Sequence, residues 1–207
     1  MSSTDATSAD ATFRLLVMCT ANQCRSPMAA VIADAHLHRR GVDAAVASCG
    51  VMDGGVPATP GAARAVRRKG LDLSEHISQQ LDLETVEAAD LIVVMERQHL
   101  TAVAELSLRA LDRSFTLGEL SELAQVVGPR TRGTPVGAWI ARVNAMRHPT
   151  TVLSHSTEGD VGDPMGGPGR AYRSTADELE RLLVPVLDAI FPDAALSGAT
   201  PPTTPSG

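Results

Sequence analysis

The sequence predicts an α/β protein of three layers, a four-stranded, parallel, twisted sheet with helices on both faces. Three observations lead there. Short apolar runs near 13–19, 44–49, 90–95 and 114–117 alternate with stretches of helical periodicity, the pattern of strands joined by crossover helices. The third run, Asp90-Leu91-Ile92-Val93-Val94-Met95, is apolar on both faces, as a strand covered by helices on each side must be. The first run, Phe13–Cys19, passes through a tight turn directly into a helix that begins near Ser26. Crossovers should be right-handed, and a ligand should lie beyond the C-terminal ends of the strands.

Each element has a local reason. Pro27 suits the first turn of helix one, where its missing N–H costs nothing. Met28, Val31, Ile32 and Ala35 give that helix an apolar stripe, and Gly41 stops it after Arg39 and Arg40. Ala44–Cys49 is a second buried strand, followed by a Gly- and Pro-containing loop over Val51–Pro60. Thr59 can cap a second helix that ends at Gly70. Residues 71–89 hold turns and a short helix. A helix over about 97–106 follows strand three, and Ser114–Leu117 is strand four. Gly118–Val127 is helical. Val136, Trp139, Ile140, Val143 and Met146 then share one helical face. From Leu123 to Thr157 there is no acidic residue but there are four arginines, at 130, 132, 142 and 147, a local basic patch. The last helix runs from about Ala171 to Ile190 on Leu179, Leu182, Leu183, Val186 and Ile190, with Pro185 expected to kink or shorten it. Residues 1–12 and 193–207 are expected to be disordered tails flanking one domain at 13–192.

Composition limits the function. The chain has 207 residues and a formal net charge of −6, which argues against general nucleic-acid binding. Five residues are aromatic (Phe13, Phe115, Trp139, Tyr172 and Phe191), so the core must be aliphatic. Three cysteines without repeating spacing do not make a disulfide scaffold and suit a reducing compartment. The polar, acidic first ten residues do not read as a secretory signal, and no run is apolar enough to span a bilayer. A cytoplasmic protein is the expectation. No metal-ligand spacing or nucleotide fingerprint is present, so no cofactor is expected; His36 and His38 face different sides of their helix.

The chemistry concentrates in Cys19-Thr20-Ala21-Asn22-Gln23-Cys24-Arg25-Ser26-Pro27. A strand that turns sharply into a helix aims backbone N–H groups at whatever fills the turn, and the helix N-terminus adds partial positive charge. A free thiol is only roughly 3% ionised at pH 7. A helix N-terminus and a nearby arginine lower such a pKa to roughly 3.5–7.5. A thiolate here can attack phosphorus in line, while Arg25 holds two phosphoryl oxygens with its planar fork. Ser26 can donate to Cys19, and Asn22 tolerates the left-handed backbone a tight turn requires. Singly, these residues read as a buried thiol and a surface arginine; the set, in a strand-turn-helix context, reads as an anion cradle with a nucleophile.

This stretch resembles the signature of the low-molecular-weight protein tyrosine phosphatases, a cysteine, five residues and an arginine near the N-terminus. A second match lies far downstream, where Asp160-Val161-Gly162-Asp163-Pro164 is similar to the family's Asp-Pro loop. The resemblance covers about 13–117 and 158–191 and makes 118–157 look like an insertion. It implies an α/β sheet with strands in flavodoxin-like order, a phosphocysteine mechanism and a phosphorylated protein or other phosphomonoester as substrate. Cys19 is implied as nucleophile, Arg25 as phosphoryl binder and Asp163 as general acid then base; Asp160 is a weaker candidate. Thr20, Ala21, Asn22, Gln23, Cys24 and Ser26 line the cradle. Ser48 and His76 match the residues that, with Ser26, brace the loop asparagine. Cys24 matches a cysteine that forms a reversible disulfide with the nucleophile, and Cys49 reads as core.

The sequence also departs from the family. Ala21 replaces a usual glycine. Gly54 stands where an aromatic often lines the pocket, and Met165-Gly166 stand where tyrosines or a tryptophan often follow the Asp-Pro pair. Both aromatic walls for a phosphotyrosine ring are missing, with Tyr172 and Trp139 as candidate substitutes, so selection of phosphotyrosine is not expected. Two other functions fit the same cradle. One is arsenate reduction with a small external thiol; the version needing further cysteines after strand three is not expected, because none follows Cys49. The other is a weakly active anion-binding regulatory module.

Overall fold

The computed structural model describes residues 12–192 except 149, 151 and 155; the expected disordered tails lie outside these residues apart from Thr12. Four parallel strands, β1 (Phe13–Cys19), β2 (Ala44–Gly50), β3 (Leu91–Val94) and β4 (Ser114–Thr116), form one sheet in the order β2-β1-β3-β4. The register places Val17 beside Ser48 and Val93, and Cys19 beside Gly50. This is the predicted sheet and strand order.

Among the described residues seven α-helices surround it: α1 (Arg25–Arg39), α2 (Pro60–Arg67), α3 (Leu83–Ala88), α4 (His99–Leu106), α5 (Leu117–Val127), α6 (Val136–Ala145) and α7 (Gly169–Ile190). Alternating residues of β1 split the core in two. Leu15, Val17 and Cys19 face a large cluster with Met28, Phe115, Trp139, Leu179 and Ile190. Leu16 and Met18 face a smaller one with Ile92, Val94, Val86, Leu100 and Val103. Helices α1, α2, α5, α6 and α7 thus cover one face, and α3 with α4 covers the other. Strand β3 is buried throughout, which explains its unbroken apolar run.

Several boundaries differ from expectation for physical reasons. The buried face of α1 is Met28, Ala29, Ile32, Ala33, His36 and Leu37, rotated from the expected stripe, with Val31 and Ala35 half-buried. His36 is admitted because its Nε2 meets Asp188 Oδ1 at 2.8 Å on α7. Helix α7 ends at Ile190 as expected, but Pro185 does not shorten it, because Val186, Leu187 and Ile190 are all buried and their packing outweighs one lost backbone hydrogen bond. A 3₁₀ turn at Leu108–Arg113, absent from the sequence reading, leads into β4. Helix α4 begins at His99 rather than Arg97, because the preceding residues form the turn that bounds the site.

The basic patch contracts in three dimensions. Arg147 is buried, pairs with both carboxylate oxygens of Glu119 at 3.2 and 2.9 Å, and lies over the Phe115 ring. Arg130 donates to the Ile190 and Thr134 carbonyls. Two of the four arginines are therefore engaged in packing rather than offered to a partner.

Candidate active site

The cradle hangs from the C-terminal end of β1 at the centre of the sheet, where the topology places a ligand. Asn22 has φ of 52°, and it alone among the described non-glycine residues takes a positive value. Its side chain and carbonyl then tie the loop down. Nδ2 donates to Ser26 Oγ at 2.9 Å and to Ser48 Oγ at 2.8 Å. Oδ1 accepts the Gln79 N–H at 2.8 Å, and the carbonyl accepts His76 Nε2 at 2.7 Å. The four residues singled out as a brace therefore meet at one point, and Asn22 is fully buried there.

Ser26 links the brace to Cys19. Its Oγ lies 3.0 Å from Cys19 Sγ and 3.3 Å from the Cys49 carbonyl. The single Ser26 hydrogen can serve one of these acceptors, and a thiolate at Cys19 is the stronger claimant. The other two cysteines are poor nucleophiles. Burial pushes the Cys49 thiol up to about 12. Burial also raises Cys24, aided by the charge of Asp163 and opposed by its 3.1 Å contact with Thr59 Oγ1. All three are free thiols.

Arg25 is 2% exposed although it is charged. Its terminal nitrogens are held by Glu96, by the Val161 carbonyl at 2.9 Å and by Asp163 Oδ2 at 3.0 Å. Its Nε is buried with no partner among the described residues. A buried N–H left unmade is costly, and a phosphoryl oxygen would satisfy it. The first turn of α1 also lacks a side-chain cap from Cys24, which leaves its N–H groups for an anion.

The Asp-Pro loop is held over this arginine. Asp160 Oδ1 accepts the Arg97 N–H at 2.7 Å, and the Val161 N–H donates to the Met95 carbonyl at 2.8 Å. Asp160 is thus an anchor of the loop, whereas Asp163 reaches the cradle. Asp163 Oδ1 also accepts the Met165 N–H at 3.0 Å.

Three contributors were missed in the sequence. Burial alone would raise the pKa of Glu96, but Arg25 and Gln98 hold it below the usual carboxylate range. His99 touches Thr20, with Nε2 3.0 Å from Oγ1. Gly50 packs under the loop, and a Cβ there would lie 2.8 Å from both the Asn22 nitrogen and the Thr20 oxygen. The signal for Glu96 was its position directly after β3, at a strand C-terminus beside the switch point. Gly50 left no such signal.

A family model described as Low molecular weight phosphotyrosine protein phosphatase matches residues 14–133. The chain belongs to this family. It is a cysteine-dependent phosphatase of the low-molecular-weight type, working through a phosphocysteine. It is 35% identical over 170 residues to a protein-arginine-phosphatase of Bacillus subtilis, covering 82% of this chain and 91% of the relative. It is 32% identical to a probable low molecular weight protein-tyrosine-phosphatase, EpsP, of Ralstonia nicotianae, covering 64% and 97%. The solved structure of a YwlE arginine phosphatase, a cysteine-to-serine mutant with its active-site serine phosphorylated, superposes with a TM-score of 0.63 at 31% identity, covering 87% and 97%. These low-molecular-weight phosphatases share the α/β sheet described above.

Proposed function

We propose that the protein removes phosphate from phosphoarginine on protein substrates. The observation that carries this reading is the placement of its aromatic residues. Phe13, Phe115 and Trp139 are buried, and Phe191 stacks edge-on against Phe13 at 5.2 Å between ring centres, away from the cradle. Trp139 donates to the Gly128 carbonyl at 2.9 Å. Tyr172 lies against Gly61, where a Cβ would meet its ring at 2.6 Å. The Tyr172 hydroxyl reaches the Cys24 thiol of the cradle, but its ring is buried, and none of the five aromatics is exposed. Position 54 has no room for one, because a Cβ there would lie 2.5 Å from the Ser78 carbonyl.

Charge supports the same substrate. Glu96 stands beside Arg25 as a carboxylate, which a substrate guanidinium can pair with and a phenyl ring cannot. The Bacillus subtilis relative named a protein-arginine-phosphatase points the same way.

The residue roles follow. Cys19 Sγ attacks phosphorus as the P–N bond breaks, and the electron pair stays with the departing guanidine nitrogen, which takes a proton from Asp163. Arg25 and the N–H groups of Thr20, Ala21, Asn22, Gln23, Cys24 and Ser26 hold the phosphoryl oxygens. Water then attacks phosphorus, gives its proton to Asp163 and releases Cys19 as thiolate. Ser48 and His76 keep Asn22 in place. The three free thiols suit the reducing cytoplasm. Among the described residues no helix is long and apolar enough to cross a membrane.

The test is a comparison of kcat/KM on an arginine-phosphorylated protein and on a phosphotyrosine peptide. We expect a preference for phosphoarginine of at least about 100-fold, the scale set by one well-placed charged hydrogen bond. A preference for the tyrosine ring would overturn the reading. Cys19→Ser should abolish turnover and accumulate phosphate on the new hydroxyl, seen by intact mass.

A further inference from the structure

His99 is buried beside the cradle and has no part in the steps above. It is 3% exposed and opens α4. Its Nδ1 accepts the Glu96 backbone N–H at 3.1 Å, which assigns the ring proton to Nε2. Nε2 then donates to Thr20 Oγ1 at 3.0 Å. Burial pushes the imidazole down to about 4; Glu96 and Asp163 oppose the shift and Arg25 adds to it. The ring is therefore neutral at pH 7 and can keep both bonds. A protonated ring would lose the acceptor at Nδ1.

These two bonds span the site. Glu96 grips Arg25, and Thr20 follows Cys19 in the chain. One ring thus sets the separation between the turn that holds the phosphoryl-binding arginine and the first residue of the cradle. Because Thr20 Oγ1 accepts from Nε2, the hydroxyl hydrogen of Thr20 points away from His99.

We propose that His99 is a positioning residue: it keeps the Glu96 turn and Thr20 in register, and it leaves the Thr20 hydroxyl hydrogen for an oxygen of the bound phosphoryl group. The proposal rests on Cys19 and Arg25 forming the phosphoryl site.

A double-mutant cycle tests it, using Thr20→Val and His99→Phe with Thr20→Ser and His99→Gln as conservative variants. The readouts are kcat and KM on p-nitrophenyl phosphate and, independently of turnover, the affinity for inorganic phosphate. Thr20→Val and His99→Phe should each lower kcat/KM and phosphate affinity about tenfold, and His99→Phe should add less than about twofold in the Thr20→Val background. Thr20→Ser should stay within about threefold of wild type, and His99→Gln, which keeps a side-chain N–H, should lose less than His99→Phe. Equal losses from His99→Phe in both backgrounds would overturn the proposal, since His99 would then act on folding or through another partner. Unchanged phosphate affinity in all variants would overturn it too. If the wild type binds phosphate without hydrolysing any ester, the enzymatic reading fails while the phosphate arm still decides the role of His99.

Discussion

At the scale of single residues, the site works by saturating some hydrogen-bonding groups and leaving others open. Asn22 has every polar side-chain atom engaged, so the cradle is rigid before a ligand arrives. Arg25 keeps one buried donor, Nε, without a partner. His99 adds a pH dependence to folding. Its imidazole titrates near 4 in the folded protein against 6.5 ordinarily, chiefly because of burial. Between those values the unfolded chain takes up a proton that the folded one refuses. The contribution is complete above about pH 6.5 and declines as pH falls toward 4, by on the order of 3 kcal/mol. Urea denaturation at pH 7, 5.5 and 4.5 should show this loss on top of the carboxylate background, and His99→Gln should flatten that part of the slope. An identical pH dependence in wild type and variant would refute it.

At the scale of elements, the strand-turn-helix unit was legible because its chemistry is local. The turn follows β1, Pro27 lies in the first turn of α1 and Asn22 takes the left-handed conformation, all visible as residue types in order. What supports the unit from beneath was not legible. Gly50 ends β2 against the loop, and its missing side chain lets the two backbones touch. Gly50→Ala should therefore push the Asn22 and Thr20 backbones apart. We expect kcat/KM to fall at least about tenfold, a modest effect for misplacement at a reacting centre. Circular dichroism should retain the helical signal, since Gly50 is the last residue of its strand. Activity within twofold of wild type would show that the cradle tolerates the shift. The tolerance of Pro185 inside α7 and the rotated stripe of α1 have the same cause, because partners distant in sequence decided which residues were buried.

At the scale of the whole molecule, the active site is tied to the far helices through a buried chain of charges. Arg147, after α6, pairs with Glu119 on α5; Glu119 also lies 3.6 Å from Arg97, whose backbone holds Asp160 of the Asp-Pro loop. Arg147→Met would leave Glu119, largely shielded from solvent, with a single, longer ion pair. Loss of one partner of a buried pair costs about 3–5 kcal/mol, and Arg97 should reduce this toward about 3. The denaturation midpoint should fall accordingly. A midpoint shift below 1 kcal/mol in equivalent stability would show that the charge chain is slack. The sequence by itself determined the layered α/β class, the cysteine- and arginine-bearing turn, the Asp-Pro motif and the scarcity of aromatic residues, because each depends on residue type and near-neighbour order. Only the tertiary structure decided that Gln79 and Gly50 meet the loop at Asn22, that Glu96 and His99 clamp the two sides of the site, and that Tyr172 and Trp139 are buried rather than exposed beside the cradle. Those facts depend on which strand ends meet, and chain order alone does not determine such meetings.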